Sequence, residues 1–126
     1  MHGIIFFAHG SSVESANDAV RKVAAEAARQ SGARDDEVRY EVAFLELGSP
    51  NLQQAADTLI SAGIDRITVV PYFLTLGIHL QRDLPLLVNR IVEGRPGIQI
   101  RVTPPLDGHP GLAAVLADRA RTAKWE

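Results

Sequence analysis

Ile4-Ile5-Phe6-Phe7-Ala8-His9-Gly10-Ser11-Ser12-Val13-Glu14 is the stretch on which the fold turns. Its first five residues are apolar without a break, which is strand length, and continuity rather than alternation means that both faces of the strand are covered. His9-Gly10 ends the run. Val20, Val23, Ala24 and Ala27 then recur at i, i+3, i+4 and i+7, the spacing of an amphipathic helix. Ser11, three residues before Glu14, predicts a capping box at its start, and Gly32 predicts its end. A strand buried on both faces that leads straight into a helix is the first half of a β-α-β unit.

The alternation repeats along the chain. Val38, Tyr40, Val42 and Phe44 alternate with Arg39 and Glu41, the period of a strand with a partly wet face. Ser49-Pro50 reads as N-cap and first residue of a helix bearing Leu52, Ala55, Ala56 and Leu59, and Gly63 ends it. Ile67 to Leu74 is again nearly continuous. Leu84, Leu87, Val88 and Ile91 mark a third helix. Pro85 is expected in its first turn, because an interior proline forfeits a hydrogen bond, so Gly77-Ile78-His79 falls in the preceding loop or at a frayed start. Ile98, Ile100 and Val102 form a last alternating strand, and a helix with Leu112, Val115 and Leu116 follows Pro110. The fold class is therefore α/β: a three-layer, mostly parallel, four-stranded sheet with right-handed crossovers. Strands apolar on both faces belong in the centre and alternating ones at the edges, which gives the order 2-1-3-4, a shortened flavodoxin-like sheet. Ligands of such sheets bind at the carboxyl ends, beside the switch point between strands 1 and 3.

Length and composition narrow the chemistry. The 126 residues suit a single domain spanning 1–126. Thirteen Lys and Arg against fifteen Asp and Glu leave no basic footprint for nucleic acid or an anionic membrane. No apolar run reaches the ~18 residues of a membrane span. Met1-His2-Gly3-Ile4-Ile5-Phe6-Phe7 lacks the basic start of a signal peptide, so a cytoplasmic location is expected. With no cysteine, thiolate zinc sites, Fe–S clusters and thiol catalysis are excluded. No Gly-x-Gly-x-x-Gly or Walker loop supports a nucleotide. Four histidines remain, so any transition-metal chemistry must use imidazole and carboxylate.

The topology brings His9, after strand 1, and His79, after strand 3, to the same carboxyl edge, with Glu46 at the end of strand 2. Two imidazoles and a carboxylate suit a borderline divalent ion such as Co²⁺, Ni²⁺, Fe²⁺ or Zn²⁺ and leave coordination positions open. Each residue also has a plainer reading. His9 can bond the loop that follows it, His79 can be an exposed loop histidine, and a strand-end glutamate is usually solvated. Ser11 and Ser12 are caps by default, although a helix start with free N–H groups also attracts a substrate carboxylate. His109, in Asp107-Gly108-His109-Pro110, reads as a turn preparing a helix. His2 lies at the opposite edge. Arg82 reads as a solvated residue at a helix start.

Ala8-His9-Gly10-Ser11-Ser12, Ala43-Phe44-Leu45-Glu46, and Val70 through His79 continuing to Asp83-Leu84-Pro85 occur in that order. With Pro104-Pro105-Leu106-Asp107-Gly108-His109-Pro110 they span residues 4 to about 119, and the chain resembles the small single-domain sirohydrochlorin cobaltochelatase family. That family is related to sirohydrochlorin ferrochelatase and to an archaeal nickel chelatase. The resemblance implies insertion of a divalent metal, Co²⁺ foremost with Fe²⁺ or Ni²⁺ as alternatives, into sirohydrochlorin or a related tetrapyrrole. It implies that His9 and His79 bind the metal, that Glu46 assists, and that a half-size chain works as a homodimer enclosing a shared cleft. Many relatives carry Arg after His-Gly-Ser where this chain has Ser12, so a carboxylate contact by that arginine must come from elsewhere. Neither a histidine-rich stretch nor a cysteine-rich tail is present, so metal storage and an Fe–S accessory are unsupported.

The expected mechanism exchanges two pyrrole N–H protons for one M²⁺. Neutral His9 and His79 hold the ion, and Glu46 or a released histidine takes the protons. Ser11, Ser12 and backbone N–H groups meet substrate carboxylates. Because an imidazole must be neutral to ligate, activity is expected to fall below about pH 6. A carrier that binds metal or tetrapyrrole without catalysis is the alternative. A phospho-signalling module would carry an acidic cluster where His9 stands.

Overall fold

Strands and helices alternate as expected: β1 (His2–Ala8), α1 (Glu14–Gln30), β2 (Val38–Phe44), α2 (Leu52–Ser61), β3 (Arg66–Tyr72), α3 (Ile78–Val92), β4 (Gln99–Val102) and α4 (Pro110–Thr122). The computed structural model describes residues 2–32 and 38–125. All three strand pairings are parallel, in the order β2-β1-β3-β4, so the sheet and its switch point between β1 and β3 are those the apolar patterns predict. The patterns match position. Every residue of β1 after His2 is buried, whereas three of the four residues of β4 are exposed, as befits an edge.

The period of two divides the sheet into faces. Ile5 and Phe7 pack with Ala55, Ala56 and Leu59 of α2 and with Leu84, Val88 and Ile91 of α3. Ile4 and Phe6 face the other way, against Ala24 and Ala28 of α1. These are the three layers. The terminal helix joins neither cluster: α4 buries no side chain, and Val115 and Leu116 are exposed. Among the described residues no helix is long and apolar enough to cross a membrane.

Three local expectations are corrected. The Ser11–Glu14 capping box does not form, because α1 begins at Glu14 behind an N-cap Val13 that supplies no side-chain cap. Ser11 Oγ instead accepts from the Val13 N–H at 3.0 Å. The second helix is capped by Asn51 and not by Ser49-Pro50. Asn51 Oδ1 accepts from the Gln54 N–H at 2.8 Å and Gln54 Oε1 from the Asn51 N–H at 2.9 Å, which satisfies two otherwise unpaired donors at once. Pro85 lies inside α3, which starts seven residues earlier at Ile78. An interior proline costs about 3 kcal/mol, but burying Leu84, Val88 and Ile91 contributes about 1.5–3 kcal/mol each. The burial wins, and His79 becomes a residue of the first helical turn. The helix ends are as expected, with Gly32 and Gly63 at positive φ just beyond the C-caps of α1 and α2.

Candidate active site at the carboxyl edge

β1 and β2 remain paired beyond their ends. The Leu45 N–H donates to the Ala8 carbonyl at 2.8 Å and the Glu46 N–H to the His9 carbonyl at 3.0 Å. This backbone continuation sets His9 beside Glu46, with His9 Nε2 3.4 Å from Glu46 Oε1 and both side chains more than half exposed. His9 Nδ1 lies 3.2 Å from the Gly10 carbonyl, so the plainer reading of His9 as a residue bonding its own loop describes one of its two nitrogens. The ring of Phe73, just past β3, meets the His9 ring edge-on at 6.4 Å between centroids. Gly10 makes this approach possible. Its φ is +94°, and a Cβ there would stand 1.7 Å from the Glu46 carbonyl oxygen.

His79 reaches the same edge as the second residue of α3 and is exposed. Its Nδ1 lies 3.5 Å from an Arg82 guanidinium nitrogen, and Arg82 also pairs with Asp83 at 3.0 Å. Arg82 is thus exposed, as expected, but held by its helix neighbours. The structure brings His9 and Glu46 together and leaves His79 apart from them: among the described residues no group of three or more His, Asp or Glu side chains converges as a ready metal cage. Ser12 is exposed and Ser11 is half-buried in the loop. His109 performs the turn role read from the sequence, as the N-cap of α4, with Nδ1 accepting from the Gly111 N–H at 2.9 Å. His2 is at the opposite edge, bonded to Thr68 Oγ1 at 2.8 Å.

Two features escape the sequence patterns. Leu45, Leu47, Leu74 and Ile78 are all exposed on the loops and helix start that carry Glu46 and His79. Asn17, on α1, is only 1% exposed. The signal for Asn17 was available: it stands seven residues before Ala24 and shares its helical face, so a polar residue lies on the buried stripe.

A family model described as CbiX matches residues 3–123. The chain belongs to the CbiX family. Among the relatives of this CbiX chain, a sirohydrochlorin cobaltochelatase from Sulfurisphaera tokodaii is 31% identical over 119 residues, which cover 94% of the chain and 91% of the relative. A sirohydrochlorin ferrochelatase from Priestia megaterium is 28% identical over 94% of the chain but only 43% of its own length. The crystal structure of a CbiX protein from Marinobacter aquaeolei VT8 superposes with a TM-score of 0.77 at 29% identity, covering 96% of the chain and 95% of that protein. The sirohydrochlorin chelatase SirB from Bacillus subtilis, solved in complex with cobalt, gives 0.78 at 25% identity, covering 95% of the chain and 50% of SirB.

Proposed function

We propose that this CbiX chain is a sirohydrochlorin metal chelatase, exchanging two pyrrole N–H protons of the macrocycle for one divalent ion, with Co²⁺ preferred and Fe²⁺ or Ni²⁺ as alternatives. The observation that carries the reading is the His9–Glu46 pair at 3.4 Å on the open carboxyl edge beside the switch point. A chelatase must release its metal, so it needs a few ligands with open positions rather than a closed cage, and exposed His9 and His79 fit that need. In the reaction His9 and His79, which stand apart in the free chain, both turn their exposed rings to the incoming ion. As ring nitrogens replace its other ligands, Glu46 accepts one pyrrole proton and a histidine released from the metal accepts the other. The apolar side chains of Leu45, Leu47, Leu74 and Ile78 offer a surface for the macrocycle, and Ser11, Ser12 and nearby backbone N–H groups answer its carboxylates.

The working form in this proposal is a homodimer of single-domain chains in the cytoplasm, two copies enclosing the macrocycle. The chain spans half of SirB, the His9–Glu46 edge is open on one side, and α4 buries none of its side chains, and all three support a second copy. The test is anaerobic incubation with sirohydrochlorin and Co²⁺, Fe²⁺ or Ni²⁺, with the visible spectrum followed over time. The expected result is insertion faster than the uncatalysed rate, fastest with Co²⁺. Tight binding without acceleration would instead identify a carrier.

A further inference from the structure

Asn17 is a buried amide with an unusual set of partners. Its Oδ1 accepts from the Ser11 N–H at 2.9 Å. Its Nδ2 donates to the Ser11 carbonyl at 2.9 Å, to Glu14 Oε2 at 3.2 Å and to the Leu47 carbonyl at 3.2 Å, so two hydrogens are shared among three acceptors. One side chain thus grips the loop after β1 at both backbone groups of Ser11 and ties it to the loop after β2, thirty residues away. The second loop needs holding. Leu47 has a φ of +55°, a left-handed conformation that a leucine adopts only at a cost of about 1–3 kcal/mol when its surroundings impose it. The first loop is pressed against it, with Gly10 under the Glu46 carbonyl. Gly48, next along, packs near the same amide: a Cβ on it would stand 3.3 Å from Asn17 Nδ2.

His9 stands two residues before Ser11, and Glu46 immediately precedes Leu47. We propose that Asn17 is a positioning residue that locks the His9 loop to the Glu46 loop and thereby fixes the spacing of the two side chains. The inference rests on the chelatase reading for its functional consequence but not for the clamp itself. A hydrogen-bonded amide in a dry site is directional, so it sets a geometry that apolar packing of equal strength would leave loose. Outer partners of metal ligands act in this way, and their loss lowers metal affinity or activity about 10–100-fold.

Two variants and a control test the clamp. Asn17→Ala removes every bond. Asn17→Asp keeps the acceptor for the Ser11 N–H but has no donor for the Leu47 carbonyl, so it uncouples the loops at nearly constant size. Ala28→Gly loosens α1 on the same buried face without touching either loop. Each is measured for Tm, for amide hydrogen exchange at Glu46, and for Co²⁺ insertion. Both Asn17 variants are expected to speed Glu46 exchange and to lower kcat/KM about 10–100-fold. Ala28→Gly lowers Tm and leaves both other readouts at the wild-type level. Wild-type Glu46 protection and kcat/KM in a folded Asn17 variant would overturn the proposal, and so would equal losses in Ala28→Gly. If the wild-type chain inserts no metal, the chelatase reading fails, and the exchange measurement still decides the clamp.

Discussion

At the residue scale the decisive contact is His9 with Glu46, and it exists because two loops run unusually close. Gly10→Ala is expected to destabilise the fold by at least about 2 kcal/mol, combining left-handed strain with a backbone collision, and to abolish insertion. Chemical denaturation measures the first and the spectral assay the second. Glu46→Gln keeps the shape of the side chain but removes the base. It should lower kcat by about 10²-fold or more with little change in Co²⁺ affinity, read by steady-state kinetics and by metal titration. His9 and Glu46 were legible in the sequence because each directly follows a strand whose place in the sheet the apolar pattern reveals. Asn17 was legible only in part: its place on the helical stripe of Ala24 and Ala28 marks it as buried, but its partner thirty residues away, the Leu47 carbonyl, leaves no mark in the sequence. The positive φ of Leu47 has no mark in its identity at all.

At the scale of elements, the apolar patterns match every strand and helix among the described residues; the differences fall at helix starts and at the end of β3, where the apolar run to Leu74 outlasts the strand, which stops at Tyr72. Capping depends on which backbone donors lack partners, and several nearby residues can compete for them. Asn51 prevailed over Ser49 because Gln54 completes a reciprocal pair, so Asn51→Ala should cost about 1 kcal/mol in denaturant unfolding. Pro85 sits inside α3 because the buried face of Leu84, Val88 and Ile91 outweighs the hydrogen bond the proline forfeits. Pro85→Ala should therefore raise stability by about 2–2.5 kcal/mol in denaturant unfolding, the helix-propensity gain less the added freedom of the unfolded chain. Glu41 on β2 is paired across to buried Ile5, and burial raises its carboxyl above the usual value. The folded state thus binds this proton more tightly than the unfolded one. Its stabilising contribution is complete below the unfolded carboxylate pKa of about 4.3 and is lost as pH rises through the folded value. Glu41→Gln should accordingly raise Tm at neutral pH, with the advantage vanishing on acidification.

At the scale of the whole molecule, the sheet order 2-1-3-4 followed from which strands were apolar on both faces, and the carboxyl edge from the parallel topology. The surroundings of that edge did not follow, because they depend on what else covers it. α4 carries Val115 and Leu116 on an unburied surface, and the family includes chains about the size of this one and chains twice as long. A native mass of two 13.6 kDa chains is the expected result of light scattering. On the proposed reading His9 and His79 deliver metal to a macrocycle at this edge. This delivery is tested most directly by the initial rate of anaerobic Co²⁺ insertion into sirohydrochlorin by the wild-type chain, His9→Ala and His79→Ala. Acceleration by the wild type and a loss of more than about tenfold in each variant, at unchanged Tm, are expected. Full activity in both variants, or no acceleration by the wild type with any of the three metals, would contradict this role of the two histidines.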